Sequence, residues 1–158
     1  MAKVAIGRKV PAFSAPATNA TTIASKDLVG EPFILYFYPR DDTPGCTLEG
    51  QAFRNQHAAF RKLKVRVLGI SRDSLAAHEK FKAKFALPFE LISDGGEKLC
   101  GLFDVIRDKN MYGKKVRGIE RSTFLFDANG ILRREWRKVT VKGHAEDVLQ
   151  AAAALPGT

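Results

Sequence analysis

The chain has 158 residues, 26 Lys and Arg against 17 Asp and Glu, a formal charge of +9, two cysteines and 45% hydrophobic residues. That length suits one hydrophobic core, so a single domain over residues 1–158 is expected, and a 27% charged fraction beside 11 Phe lies far from the composition of disordered chains. Two cysteines exclude a disulfide-dense scaffold and a four-thiolate zinc site, and leave either one disulfide or one reactive thiol beside a bystander.

In chain order, Phe33-Ile-Leu-Tyr-Phe-Tyr38 is a continuous apolar run halted by Pro39. It is too short for a helix and rich in β-formers, which predicts a strand buried on both faces. Residues 45–62 set Phe53, His57 and Phe60 at helical spacing, and residues 65–71 form a second strand. Residues 74–85 open on the capping pattern Asp73-Ser74 and carry Leu75, His78, Phe81 and Phe85 on one side, which predicts a second helix. A short strand over 89–92, a short helix over 97–103 and a strand over 122–127 follow. Asp127-Ala-Asn-Gly130 puts Asn-Gly at the centre of a hairpin turn, so residues 131–136 should return antiparallel. A last helix over 144–154 stops before Pro156-Gly157. Strands alternating with helices, then a hairpin and a helix, predict a mixed sheet in an α/β sandwich.

The start, Met1-Ala-Lys-Val-Ala-Ile-Gly7, has no apolar core behind a basic head, and no stretch approaches the roughly 18 uninterrupted apolar residues of a membrane span. A cytoplasmic protein with no membrane partner is expected. Residues 107–142 carry eleven Lys or Arg against four acids. These charges are scattered: Arg107, Lys109, Lys114, Lys115 and Arg117 form a loop-like cluster, and Arg133, Arg134, Arg137, Lys138 and Lys142 flank a strand-like one. Net charge speaks to solubility and association rather than to function, so this surface reads as solvated, with no nucleic-acid partner. The competing reading is a basic module for nucleic acid or an acidic partner, whose affinity would fall steeply with salt.

Tyr38-Pro-Arg-Asp-Asp-Thr-Pro-Gly-Cys-Thr-Leu-Glu49 joins the first buried strand to the first long helix. Thr43 is a favoured N-cap and Pro44 a favoured first helical residue, which places Cys46 at N3. Backbone N–H groups there are unpaired and the helix dipole is positive, so a thiolate is stabilised. The ordinary alternative is that Cys46 is a small buried hydrophobe, Thr43 only a cap and Pro39 only a strand terminator. In the chemical reading Pro39 also shields the thiolate from water, and the Thr43 hydroxyl, one turn from the sulfur, orients an oxygen-bearing substrate. His57, His78 and His144 have no metal-like spacing with one another or with the cysteines and read as core-lining or surface residues.

Pro39-x-x-x-Thr43-x-x-Cys46 resembles the active-site signature of peroxiredoxins, and the run from Phe37 to Glu49 is similar to that of the Q-type, or bacterioferritin-comigratory, subgroup. Weaker matches fall in the same order along the chain: Pro11-Ala-Phe13, Leu68-Gly-Ile-Ser71, Leu91-Ile-Ser-Asp94 and Gly118-Ile-Glu-Arg-Ser-Thr-Phe124. The resemblance implies a thioredoxin-like fold and a thiol peroxidase that needs no metal or organic cofactor. It implies that Cys46 is the peroxidatic cysteine, converted by hydrogen peroxide or an organic hydroperoxide to a sulfenic acid. By motif position Thr43 would hydrogen-bond the peroxide, Pro39 would shield the pocket, and Arg121 would be the active-site arginine, held by Glu49. The implied reductant is thioredoxin or another thiol, and the implied state a monomer.

Many members of the subgroup place a second cysteine five residues after the first, where this chain has Gln51, and others place one on the following helix, where residues 78–84 contain none. The remaining thiol is Cys100. A disulfide needs Cα atoms within about 7 Å. Cys100 could therefore resolve the sulfenic acid only if the fold brings it close or a helix unfolds locally, and a one-cysteine cycle is expected. A thioredoxin-type disulfide oxidoreductase is the other enzymatic reading; it suffers because Cys46 has no partner cysteine at the two-residue spacing that chemistry uses.

Overall fold

A computed structural model describes residues 3–156, with Met111 described in its backbone only. Met1, Ala2 and Gly157, which entered the reading of the two chain ends, lie outside the described residues. The chain begins with β1 (Ser14–Ala17), β2 (Thr21–Ala24), one turn of helix α1 (Ser25–Leu28) and β3 (Phe33–Phe37). Then come α2 (Pro44–Lys62), β4 (Arg66–Ser71), α3 (Leu75–Lys84), β5 (Leu91–Ser93) and α4 (Lys98–Leu102). A separate hairpin of β6 (Ile106–Met111) and β7 (Lys114–Ile119) precedes β8 (Ser122–Phe126), β9 (Leu132–Trp136) and α5 (His144–Ala153).

The main sheet runs in the order β2-β1-β5-β4-β3-β8-β9. β3, β4 and β5 are parallel, and β8, β9, β1 and β2 pair antiparallel, which makes the sheet mixed as expected. The β3 residues are all buried because strands and helices cover the run on every side. Its side chains alternate between the faces. Phe33, Leu35 and Phe37 join a core with α1, Leu99, Cys100 and Phe103. Ile34, Tyr36 and Tyr38 join a second core with Cys46, Phe53, Phe60 and Phe81 and with Val148 of α5.

Gly69 pairs with Tyr36 in the β3–β4 register, and a Cβ there would lie 3.0 Å from the Tyr36 hydroxyl and 2.8 Å from Leu91 Cδ2. Glycine at this position leaves room for the Tyr36 ring and the Leu91 side chain.

The predicted helices and inner strands are present with ends shifted by one or two residues. The β8–β9 hairpin differs in detail: Gly130 takes φ 77° but Asn129 does not, and Asp127 Oδ1 accepts from the N–H groups of Asn129 and Ile131, both at 3.0 Å. The turn is therefore closed by an aspartate side chain with glycine at its exit, instead of an Asn-Gly pair at its centre.

The basic cluster over 107–117 is corrected from a loop to the β6–β7 hairpin, turned by Tyr112 and Gly113 at positive φ. Between Ile106 and Ile119, which reach the core, its strands are mostly polar and exposed, so they lack the alternation that marks a half-buried strand. Arg117 pairs with Glu97, and Arg107 with Asp104 at 3.3 Å. Among the described residues no helix is long and apolar enough to cross a membrane.

Candidate active site

The ladder of β3 ends where Tyr38 donates its N–H to the Ile70 carbonyl at 3.0 Å, and Pro39, without an N–H, turns the chain outward and is exposed. Thr43 has the extended conformation of an N-cap, φ −100° and ψ 157°, and Pro44 occupies the first turn of α2. The Thr43 hydroxyl does not cap the helix. It donates backward to the Arg40 carbonyl at 2.9 Å, and no acidic side chain lies in the first turn. The leading N–H groups of α2 therefore keep their capacity for an anionic ligand.

Cys46 sits in this turn and is 2% exposed. Glu49 lies three residues on, on the same helix face. Arg121 arrives from the junction of β7 and β8, its carbonyl accepting from Val139 N at 3.0 Å. One guanidinium nitrogen, Nη2, is 3.5 Å from Cys46 Sγ, and the other, Nη1, donates to Glu49 Oε1 at 2.7 Å. A Cβ on Gly45 would stand 3.0 Å from Nη2, so glycine at this position admits the arginine to the helix start.

Burial sets the electrostatics. Desolvation pushes the Glu49 carboxyl up to about 7, against the opposing pull of Arg121. Its second oxygen, Oε2, has no hydrogen-bond partner among the described residues, and neither has the buried Tyr36 hydroxyl. The Tyr36 phenol is raised well above its ordinary value by burial first and by the Glu49 charge second. Burial works against the Arg121 cation, but Glu49 and Cys46 outweigh it and hold the group above the usual arginine value. The result is a fixed cation beside a sulfur at a helix N-terminus, an arrangement able to stabilise a thiolate and an oxygen that gains negative charge.

Behind the helix, His144 is buried between Phe53 and Trp136 and hydrogen-bonds Thr123 Oγ1 at 2.8 Å. Burial lowers it to about 4, which makes it a neutral core group. His57 is half-buried beside Phe89. Asp41, Asp73 and His78 bring ligand atoms within 4.8 Å of one another, but each is engaged in hydrogen bonds within this network.

Cys100 lies on the other side of the sheet from Cys46, in the core with Phe103 and Ile92. Asp94 receives its backbone N–H at 2.8 Å, and burial and this carboxylate raise the thiol far above its ordinary range. Both cysteines are free. The fold thus brings Cys46, Glu49 and Arg121 together, leaves Thr43 at the rim and Pro39 exposed, and keeps Cys100 apart.

Sequence reasoning missed Tyr36, Gly45 and the pairing of His78 with Asp41. Tyr36 could have been singled out as a hydroxyl-bearing residue in the middle of a wholly buried strand. Gly45 looked like one more turn residue, and the Asp41–His78 pair spans 37 positions of the chain.

Residues 6–135 match the AhpC/TSA family. Peroxiredoxin Bcp of Xanthomonas campestris is 53% identical over 125 residues, covering 79% of this chain and 78% of its own length. Peroxiredoxin Bcp of Bacillus subtilis is 46% identical over 147 residues, covering 93% and 94%. The X. campestris bacterioferritin comigratory protein, solved in a study of its alkyl peroxide reduction activity, superposes with a TM-score of 0.86 at 46% identity over 90% of each chain. This chain accordingly belongs to the AhpC/TSA family as a peroxiredoxin of the Bcp, or Q, type, a thiol peroxidase on a thioredoxin-like fold.

Proposed function

We propose that Cys46 is the peroxidatic thiol and that Arg121, Thr43 and the N-terminal amides of α2 hold the peroxide against it. The observation that carries this reading is the 3.5 Å approach of Arg121 Nη2 to Cys46 Sγ in the first turn of α2. The thiolate attacks one peroxide oxygen, the S–O bond forms as the O–O bond breaks, and the departing oxygen takes a proton and leaves as water or an alcohol. Cys46 is left as the sulfenic acid. Arg121 stabilises the charge on both sulfur and departing oxygen, and Glu49 holds the guanidinium in place. Thr43, whose hydroxyl oxygen retains a free acceptor side, receives the peroxide hydrogen. Pro39 keeps water from the edge of the pocket.

The substrates are hydrogen peroxide and organic hydroperoxides; reduction of an alkyl peroxide by the X. campestris relative supports the second class. An external thiol, thioredoxin or a smaller one, attacks the sulfenic sulfur and expels water. A second thiol then releases Cys46 from the mixed disulfide. The placement of Cys100 across the sheet supports this one-cysteine cycle over an internal disulfide. The protein acts as a single domain and a monomer in the cytoplasm, without metal, organic cofactor or nucleic acid.

Peroxide consumption with a thiol donor tests the reading. Cys46→Ser should abolish it, and a fully active Cys46→Ser protein would overturn the assignment.

A further inference from the structure

His78 is fully buried and has no place in the cycle above. Its Nδ1 lies 2.6 Å from Asp41 Oδ2, and its Nε2 lies 2.9 Å from the Ile92 carbonyl oxygen. Both ring nitrogens are thus engaged, one by the Asp41 carboxyl group and the other by the Ile92 carbonyl, which fixes the ring between the loop and β5. The other Asp41 oxygen accepts from the Tyr38 hydroxyl at 2.6 Å, and the Asp41 N–H donates to Asp73 Oδ2 at 3.0 Å. Asp41 is therefore held on three sides.

The chain it holds is the approach to Cys46. Asp42, next in sequence, has φ 56°, a left-handed conformation that a non-glycine residue keeps only where its surroundings fix it. Its carboxylate pairs with Lys84 Nζ at 2.8 Å, a second tie from α3 to the same loop. Thr43 and the start of α2 follow at once.

We propose that the buried His78–Asp41 pair is a clamp: α3 grips the loop over 40–43 through it and so sets the orientation of Thr43 and Cys46 toward the peroxide. His78 is a positioning residue acting through Asp41, and the proposal rests on Cys46 being the oxidised thiol. Reactions of bound groups are sensitive to such placement, since a displacement of about 1 Å can cost on the order of 10²-fold in rate.

The test compares His78→Phe, Asp41→Ala and the double variant with the full-length protein. Oxidation of Cys46 by hydrogen peroxide is followed by quench and mass spectrometry, amide exchange over residues 39–46 by fragment mass spectrometry, and the pH profile of Cys46 alkylation by iodoacetamide. Each single variant should oxidise between about 10-fold and 10²-fold more slowly. The double variant should be no slower than the slower single, because the two residues act as one unit. Exchange over 39–46 should quicken while β3 and β4 keep their protection, and the alkylation midpoint should stay put, which separates lost orientation from a lost thiolate.

Folded single variants with the wild-type oxidation rate, or losses that multiply in the double, would overturn the clamp. Should His78→Phe fail to fold, Asp41→Asn against Asp41→Ala decides: the asparagine amide still hydrogen-bonds the ring, so Asn should recover part of the rate, and equal rates overturn the proposal. Wild-type protein that forms no sulfenic acid at Cys46 would overturn the proposed function along with it, whereas normal oxidation in the variants overturns the clamp alone.

Discussion

Arg121 and Glu49 meet at 2.7 Å with the carboxylate 1% and the guanidinium 15% exposed. A carboxylate this far from water is costly to ionise, and among the described residues only one of its two oxygens has a partner. The same guanidinium reaches Cys46, so the pair couples a poorly solvated acid to the sulfur through a single cation.

The Glu49 carboxyl titrates at about 7 in the folded chain against 4.5 for an ordinary glutamate. The folded state therefore binds this proton more tightly than the unfolded state does. The stability it confers is complete below pH 4.5 and is lost as pH rises through 7, with a total near 3 kcal/mol, roughly 1.4 kcal/mol for each tenfold change in proton affinity. Urea unfolding at pH 5 and pH 8 should show wild type losing stability relative to Glu49→Gln over that interval, by up to about 3 kcal/mol. A difference that stays constant or changes in the opposite sense would mean that Glu49 is already ionised at the lower pH.

Arg121→Ala should slow oxidation of Cys46 by about 10²-fold, the usual loss when one donor to a developing oxyanion is removed. Gly45→Ala offers a milder probe, because the new methyl group would press on Arg121 Nη2 at 3.0 Å. Position 45 lies inside the first turn of α2, where alanine suits the backbone better than glycine does. We expect a slower peroxide reaction, by roughly 10-fold, in a protein at least as resistant to urea as wild type. Stopped-flow oxidation together with equilibrium unfolding checks both halves.

Cys100→Ser should keep turnover with a small-thiol reductant within about twofold of wild type, since its side chain faces the opposite core. Iodoacetamide at pH 8 should modify Cys46 of the native protein well before Cys100, whose thiol is raised by burial and by Asp94. Mass spectrometry of the alkylated protein, and of peroxide-treated protein for an internal disulfide, reads both expectations. An internal Cys46–Cys100 bridge as the main product would rule out the one-cysteine cycle.

The inner sheet was legible because β3, β4 and β8 are dense in β-branched and aromatic residues, and the helices because Phe53, Phe60 and Phe81 recur at helical spacing. β1 was not, since Ser14-Ala-Pro-Ala17 has weak strand propensity and owes its order to the β2 and β5 partners it acquires on folding. In the site, Cys46 and Thr43 were visible through local helix-start chemistry. Arg121 and Glu49 were legible only through motif resemblance, because 72 positions separate them. Gly45 matters through the Arg121 guanidinium that stands 3.0 Å from where its Cβ would be, and Tyr36 through the Glu49 charge, neither of which a local pattern encodes.

The seven-stranded sheet between the two sulfurs also has a kinetic meaning. In the cycle proposed for Cys46, no thiol of the same chain shortens the life of the sulfenic acid. That lifetime is set by the concentration of thiol outside the protein, and each oxidised molecule is open to a second peroxide, which would carry the sulfur to the irreversible sulfinic state. The number of turnovers before inactivation should therefore rise with reductant and fall with peroxide, so that endurance belongs to the surrounding thiol pool as much as to the enzyme.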